Sequence, residues 1–512
     1  MRKTIFSAVF TLSVFTVVDR ALGFVFKIYL SRELGAELLG VYQVALSFFF
    51  VLLTATTSGI PLIVSKLTAR YRLSGELRRE RALTAAALVS GLTVAAVIIG
   101  LSLLLYLPMK SAFTSPESAT TLLFFLPALA FSSVYSAFRG NLWGRQRYFA
   151  VSTVEIIEQI ARIAVCIILF ALGCNKLYSA AASLSIGCFV STVAVTALFF
   201  VAKGKLRSPK GEIAPLLRSA TPITVSRAAS SFINSLIAIA VPSLLIASGY
   251  SDSDALGLFG SSVGMALPLL YIPITVVGSL AFVMIPTVSE GVGRGDFSRV
   301  NGQIESATGF AIIIAALFVP MFAALGEPIG RFVYGNETAG KFLSASAWLL
   351  IPLSVENITS SVMNSLDLEI RSFVNYLIGS AVSFIIMFAF YGSFRINLLG
   401  FALGVGWSTT CVLHLLSIRK KIGLRMSFAG KGATAVLLIV PTVFATKCAF
   451  NLMGGLPLFA SITLASLVSL VFFALAATAL GLVDVDFFRS KVKTSVKCNA
   501  KKKFRLFGAK HE

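Results

Sequence analysis

Charged residues are scarce in this chain: Asp, Glu, Lys and Arg make up 13% of its 512 residues, against 57% for hydrophobic residues. Soluble domains carry about 25% charged residues. The chain therefore has too few polar groups to cover a water-facing surface, and its predicted solvent is the lipid bilayer. We expect an all-α, polytopic membrane protein whose core consists of helices packed within lipid.

Residues that commonly build metal or redox sites are also few. The chain has two histidines and six cysteines, and the cysteines show no CxxC pairing. Enzyme motifs are missing as well: no P-loop, HExxH or GxSxG pattern occurs, and no loop holds an acidic cluster suited to a metal beside a sugar nucleotide. The sequence therefore predicts no metal and no cofactor, and it argues against an enzyme or an ATP-driven pump.

Apolar runs of membrane-spanning length recur about fourteen times along the chain. The segments between them are too short to hold an independent soluble domain. Predicted spans 1–6 cover about 4–30, 39–65, 83–107, 119–138, 150–173 and 178–202. Predicted spans 7–12 cover about 217–248, 257–289, 301–326, 339–363, 372–392 and 397–418. Predicted spans 13 and 14 cover about 430–451 and 457–482.

The net charge of +22 is distributed over the loops rather than gathered in one patch, so no nucleic-acid partner is predicted. With the N-terminus inside, 33 of the 44 Lys and Arg residues fall in cytoplasmic segments. This asymmetry follows the positive-inside rule and predicts that both termini are cytoplasmic. The loops on the other side hold six basic residues: Arg32, Lys110, Lys176, Arg331, Lys341 and Arg395.

Weak internal matches divide the spans into two sets of six. Pro61 and Pro286 lie 225 positions apart, as do Pro127 and Pro352. The matches predict two six-helix lobes in a pseudo-twofold repeat, followed by two more helices, which is a transporter architecture. The predicted domains are an N-lobe at 1–210, a C-lobe at 211–428, spans 13 and 14 at 429–485, and a polybasic tail at 486–512. The tail is predicted to be solvated or to rest on anionic lipid headgroups.

Positive charges inside spans 1 and 7 predict an anion site. A charge at the centre of a membrane helix costs about 2.5–3.5 kcal/mol, so each is a functional candidate. Arg20 and Lys27 share a helical face in span 1, and Arg227 shares one with Asn234 in span 7. We expect these two stripes to face each other across a central cavity. Guanidinium groups there would bind phosphate oxygens in a bidentate manner.

Acidic residues inside the spans predict a second feature, a charge network. Glu155, Glu158 and Arg162 follow one another at helical spacing in span 5, and Asp19 precedes Arg20 in span 1. Two interpretations remain open from the sequence. The network is either a structural brace of the N-lobe or a gating or ion-coupling site.

Several segments resemble the multidrug/oligosaccharidyl-lipid/polysaccharide exporter superfamily. Within it, they are similar to the stage V sporulation protein B group and the MurJ-type lipid II flippases. The segments that carry the likeness are Asp19–Phe24, Ser31–Gln43, Ser58–Pro61, Val64–Lys66, Arg139-Gly140 with Gly144, Glu158–Arg162, Gly264–Leu270 with Pro273, and Ile285-Pro286 with Ser289-Glu290.

The resemblance implies a function and a location. Members of this group move an undecaprenyl-diphosphate-linked cell-wall precursor from the inner to the outer leaflet of the bacterial cytoplasmic membrane by alternating access. It also implies a cationic cavity for the diphosphate and a groove near spans 13 and 14 for the lipid tail. Arg20 matches the family's arginine in the first helix, and Lys27 approximates a second. The family's arginine in the second helix has no counterpart, because residues 52–57 are neutral.

The expected partners are the polyprenyl-diphosphate-linked glycan, the lipid bilayer and, as a further hypothesis, proteins of cell-wall synthesis. The membrane potential or a monovalent cation is the hypothesised driving force. Three alternative functions are kept: a cation-coupled multidrug antiporter of the same superfamily, an exporter of another lipid-linked oligosaccharide, and a scaffold without transport activity. A cation-coupled antiporter requires unpaired carboxylates in its cavity, whereas the acidic residues inside the predicted spans have basic neighbours.

Overall fold

The structure, a computed structural model, describes residues 2–482 apart from 394, 425 and 427. These residues form helices and short connections, and no strand occurs among them. The prediction of an all-α chain is confirmed, while the predicted polybasic tail lies outside the described residues. The helices of the first half are α1 Arg2–Thr57, α2 Ile60–Leu73, α3 Leu77–Leu104, α4 Tyr106–Ala112, α5 Pro116–Gly144, α6 Tyr148–Ala171, α7 Lys176–Val201, α8 Ile213–Ala247 and α9 Asp252–Phe259.

A π-helical turn, Gly260–Ala266, continues α9 into the second half of the chain. The later helices are α10 Leu267–Gly293, α11 Phe297–Tyr334, α12 Glu337–Ser346, α13 Leu350–Ser365, α14 Glu369–Ala389, α15 Ile396–Ile422, α16 Phe428–Leu437, α17 Ile439–Leu452 and α18 Leu458–Ala479.

Twelve stretches within the described residues are long and apolar enough to cross a membrane, by length and composition. One of them, Val17–Leu73, has 57 residues and would extend about 85 Å as a straight helix, well beyond the roughly 30 Å of a hydrocarbon core. Gly35 breaks it with φ 71° and ψ 178°, between predicted spans 1 and 2. Helix α6 is not among the twelve, because it carries three charged residues. Dividing Val17–Leu73 at Gly35 into two spans and adding α6 gives about fourteen spans.

Two compact units emerge from the packing. The first consists of residues 2–269, 333–342 and 376–406, and the second of residues 270–332, 343–375 and the part of 407–482 that the structure describes. These units group helices by contact in this conformation. The predicted lobes, 1–210 and 211–428, rest on the sequence repeat instead and stay a prediction.

In the first unit, α5 packs tightly against α2 through small residues. A Cβ atom on Gly140 would lie 2.8 Å from the Val64 Cβ, and one on Gly144 would lie 2.6 Å from the Thr68 Cβ. Two glycines four residues apart let the helix backbones approach, which is how membrane helices gain packing energy without a hydrophobic driving force. The same α5 stacks Phe138 on Phe199 of α7, with ring centroids 4.6 Å apart.

Ionic contacts tie the first unit together at its predicted cytoplasmic end. The Arg145 Nε atom donates to Glu80 at 2.8 Å; the Glu80 side chain is buried and that of Arg145 is 9% exposed. The buried Glu212 carboxylate, just before α8, accepts hydrogen bonds from the Tyr71 hydroxyl at 2.8 Å and from the Arg79 Nε at 2.7 Å. These bonds fasten the beginning of α8 to the α2–α3 connection and so fix where the rest of α8 lies.

The second unit has its own apolar core and one buried histidine. Its core includes Val277, Ile304, Ile358 and Val362, all fully buried. The His414 ring lies between the Thr359 and Ser372 hydroxyls, each 3.2 Å from a ring nitrogen. These hydroxyls satisfy both ring nitrogens, so His414 joins α13, α14 and α15 as a structural residue.

Candidate functional site

Arg227 lies near the middle of α8 with an exposed side chain. Its Nη1 atom donates to the carbonyl oxygen of Ser58 at 3.4 Å, which is long for such a bond. Among the residues that the structure describes, no carboxylate forms an ion pair with Arg227. The guanidinium group therefore keeps most of its five donors available for an external anion.

Four hydroxyl groups lie on the α8 segment around Arg227 or on α1 against that segment, and we call them the hydroxyl cluster: Thr54, Ser226, Ser230 and Ser231. The Thr54 and Ser231 oxygens lie 3.1 Å apart and join α1 to α8. Ser226 and Ser230 each bond a carbonyl one turn earlier in α8. The sequence did not predict the approach of Thr54 to Ser231, because it depends on how α1 packs against α8.

Asn234 lies two turns beyond Arg227 on the same side of α8 and is exposed. Its Oδ1 atom accepts a hydrogen bond from the Tyr376 hydroxyl of α14 at 3.4 Å. No sequence pattern connects Tyr376 with this helix, since Tyr376 and Asn234 are 142 positions apart. Arg227, the hydroxyl cluster and Asn234 together form a polar strip along the middle of α8.

The two basic residues predicted on span 1 lie in α1. Arg20 is exposed and Lys27 is partly exposed, and neither makes an ion pair or hydrogen bond within the described part of the chain. Gly23, between them on the predicted face, lies beside α6: a Cβ atom there would be 3.6 Å from the Gln159 Nε2. The stripe thus runs along the α6 side of α1, and its position opposite Arg227 stays a prediction.

The residues of the predicted charge network do lie together. Asp19 of α1 interacts electrostatically with Glu158 and Arg162 of α6. Glu155 interacts with Asp19 and Glu158 as well. Within the described residues, however, Glu158 and Arg162 form no ion pair below 4.0 Å. Glu158 instead accepts a weak hydrogen bond from the Cys188 thiol at 3.7 Å.

Arg139 completes this network and was not assigned to it from the sequence. Its Nη2 atom lies 2.7 Å from the Glu155 Oε1, and the two side chains are 30% and 32% exposed. The guanidinium carbon also lies 4.2 Å from the centroid of the Trp143 ring, a cation–π contact. Arg139 stands near the end of α5, where a basic residue is expected from topology alone, so nothing in the sequence marked it as a partner of Glu155.

The two features differ in what they can do chemically. The strip on α8 offers a cation, Arg227, that pairs with no acid in the described part of the chain, which suits an anionic ligand. The network between α1, α5 and α6 offers acids that already have basic neighbours, which suits a brace or a titrating switch. No group of three or more His, Cys, Asp or Glu side chains that could hold a metal ion forms in the part of the chain that the structure describes.

Comparison with known proteins identifies the family. The model of the polysaccharide biosynthesis protein family matches residues 5–292, more than half of the chain. The chain belongs to this family. It is 24% identical to stage V sporulation protein B of Bacillus subtilis (strain 168) over 446 residues, covering 83% of this chain and 85% of the relative. It is 21% identical to lipid II flippase MurJ of the same organism over 479 residues, covering 86% and 87%.

Solved structures agree on the fold. A lipid II flippase MurJ in an inward closed conformation superimposes with a TM-score of 0.70 and 16% identity, covering 92% of this chain and 99% of that one. An inward-facing multidrug resistance MATE transporter of the MOP superfamily gives 0.64 and 15%, covering 81% and 98%. The chain thus has the fold that these two proteins share, and it is a multi-pass membrane protein. The MurJ and MATE proteins among these are a flippase and a transporter by name rather than enzymes, as expected from the missing motifs.

Proposed function

We propose that this protein carries a polyprenyl-diphosphate-linked glycan, a cell-wall precursor of the lipid II type, from the inner to the outer leaflet. The observation that supports this most is the exposed Arg227 within α8, which has no acidic partner among the described residues. Keeping such a charge in a membrane helix is costly, so a protein retains it where an anion offsets the cost. A diphosphate matches the guanidinium geometry, and the relatives' names point to the same class of cargo.

Arg20 and Lys27 are proposed to hold the cargo from the α1 side, with Asn234 beside Arg227. Alternating access of the two predicted lobes would expose this site first to one leaflet and then to the other. Helices α16–α18 are proposed to border the lipid tail. Their exposed side is strongly apolar, with Leu437, Phe444, Leu475 and Leu452 more than 60% exposed. An apolar groove of this kind would keep a polyprenyl chain out of water during transfer.

The membrane potential is proposed to drive or reset the cycle, alone or with a monovalent cation. A negative headgroup that leaves a negative interior gains about 2.3 kcal/mol per charge per 100 mV across the full potential. Proteins of cell-wall synthesis are proposed as partners, because they would supply and consume such a precursor. If collapse of the potential and of all ion gradients leaves vesicle transport unchanged, the driving force proposed here is wrong.

The test of the function is transport in proteoliposomes that carry fluorescent lipid II. The wild type is expected to move the label between leaflets, and Arg227→Ala and Arg20→Ala are each expected to slow it at least tenfold, since each removes a charge-assisted bond to phosphate. Arg218→Ala is the matched control, because Arg218 is an exposed arginine of the same helix near its predicted cytoplasmic end. Flipping at the wild-type rate in both variants would refute the cationic site.

The same preparation separates the competing functions. A wild type that moves no lipid but exchanges cationic drugs for protons or sodium would be a multidrug antiporter. If the wild type does not move lipid II but moves another polyprenyl-linked glycan, the proposed cationic site stands and the proposed cargo is wrong. If the protein transports none of these substrates but binds wall-synthesis enzymes, it acts as the scaffold.

A further inference from the structure

The protons of the hydroxyl cluster are all committed to acceptors inside the protein. The Thr54 hydroxyl donates to the Phe50 carbonyl oxygen at 2.6 Å, and a carbonyl can only accept. In the 3.1 Å contact between Thr54 and Ser231, Ser231 must therefore be the donor. A hydroxyl has one proton and two lone pairs, so Thr54 and Ser231 keep only lone pairs for a ligand.

The two other hydroxyls of the cluster are arranged in the same way. Ser226 donates to the Pro222 carbonyl oxygen at 3.0 Å, and Ser230 donates to the Ser226 carbonyl oxygen at 3.2 Å. Arg227, between them in sequence, is a pure donor. The polar strip on α8 therefore has a charged donor next to a surface that only accepts hydrogen bonds.

The helix fixes the spacing of these groups. Arg227 and Ser231 lie one turn apart on one face of α8, which is about 6 Å at 1.5 Å per residue. Asn234 follows about 10 Å from Arg227. Its Oδ1 accepts from the Tyr376 hydroxyl, and its amide N–H groups make no hydrogen bond with a described residue. From Arg227 to Asn234, α8 thus presents a charged hydrogen-bond donor, then hydroxyl groups that accept, then the neutral amide donor of Asn234.

We propose that this order is a specificity element: Ser231 and Ser230, with Thr54 behind them, select a cargo that presents a hydroxyl or amide N–H about one helical turn from its anionic group. The inference rests on the proposed function, since it assumes that Arg227 holds the anion. It adds that the first sugar next to the diphosphate is recognised through its hydrogen-bond donors. A cargo that places a hydrogen-bond acceptor against Ser230 and Ser231 binds less well, because neither its acceptor atom nor the serine oxygens can then form a hydrogen bond.

The test compares two probes, undecaprenyl diphosphate and the same lipid diphosphate carrying a disaccharide. Ser231→Ala is expected to weaken apparent affinity for the disaccharide lipid about fivefold, the effect of one lost hydrogen bond, and to leave undecaprenyl diphosphate unchanged. Ser231→Thr keeps the hydroxyl and is expected to restore binding. Ser243→Ala is the matched control, because Ser243 is an exposed serine of α8 whose hydroxyl, among the described residues, bonds the Ile239 carbonyl of its own helix alone.

The possible results separate this inference from the proposed function. If Ser231→Ala weakens both probes equally, the Thr54–Ser231 contact only holds α1 to α8, and the inference is overturned. If Ser231→Ala changes neither probe while Arg227→Ala weakens both, the anion site stands and the specificity element is wrong. If Arg227→Ala changes neither probe, the proposed function itself fails. Thermal melting of each variant in detergent identifies any loss of affinity that comes from unfolding.

Discussion

Gly40 of α1 and Gly260 of the π-helical turn allow two helix backbones to touch. A Cβ atom on Gly40 would overlap the carbonyl oxygen of Leu256, and one on Gly260 would overlap the carbonyl oxygen of Ala36. The clash is reciprocal and involves backbone atoms, which cannot turn aside as a flexible side chain can. Both residues belong to the first compact unit and lie on the side predicted to face outward. An alternating-access cycle would have to separate this contact to open that side.

Gly260→Ala is therefore expected to disfavour the conformation in which α1 and the turn touch. Overpacking costs about 1–3 kcal/mol, enough to shift a balanced equilibrium by about fivefold to a hundredfold. Spin labels on Glu37→Cys and Asp252→Cys, both at exposed positions, would report a longer mean distance. The exposed Cys174 and Cys448 are first replaced by serine. Gly257→Ala is the control, since nothing lies within 4 Å of a Cβ there. Unchanged distances in Gly260→Ala would contradict this role.

The sequence predicted the elements of this fold better than their contacts. Apolar runs marked the spans directly, and the charges of Asp19, Glu155, Glu158 and Arg162 stood out because so few charges occur in such runs. The meeting of Gly40 with Gly260 had no local signal, since a glycine in a membrane helix looks the same whether or not another helix touches it. Contacts across more than 200 positions depend on the packing of whole helices.

The same limit applied to partners in the candidate site. Thr54 belongs to a neutral run whose sequence suggested only that a family arginine was missing. Its contact with Ser231 exists because α1 packs beside α8, which no local sequence pattern predicts. Arg139 was hidden in another way, because a basic residue near a helix end has a sufficient explanation in membrane topology. Charge inside a span is thus easy to find from sequence, whereas the group that neutralises it is not.

The buried carboxylate of Glu80 is expected to be essential for stability. It accepts hydrogen bonds from the Arg145 Nε at 2.8 Å and from the Asn141 amide at 3.2 Å, and its side chain is 2% exposed. Glu80→Ala leaves the largely buried Arg145 guanidinium group with the Ala202 carbonyl as its one remaining hydrogen-bond partner among the described residues. Breaking one side of a buried pair costs about 3–5 kcal/mol, which should appear as a lower free energy of unfolding in detergent titrations.

Glu76 provides the matched control for that experiment. It pairs with Arg79 at 2.9 Å on the surface, and hydrogen bonds from Arg79 and Ser74 hold the pKa of its carboxyl below the usual range. Exposed pairs contribute little to stability, so Glu76→Ala should leave the unfolding midpoint close to that of the wild type. Equal losses in the Glu80 and Glu76 variants would show that burial of the Glu80 pair does not matter.

The Arg139–Glu155 pair decides between the two interpretations of the charge network. We expect a brace: Arg139→Gln should lower the free energy of unfolding by about 1–2 kcal/mol, because Glu155 then faces Asp19 and Glu158 without its partner. Adding Glu155→Gln should restore most of that loss and also normal transport, since the neutral pair removes the unbalanced charge. Arg294→Gln, which breaks the exposed pair with Glu290, should change neither quantity. A double variant that is stable but does not transport would show that the Glu155 carboxylate takes part in the transport cycle itself.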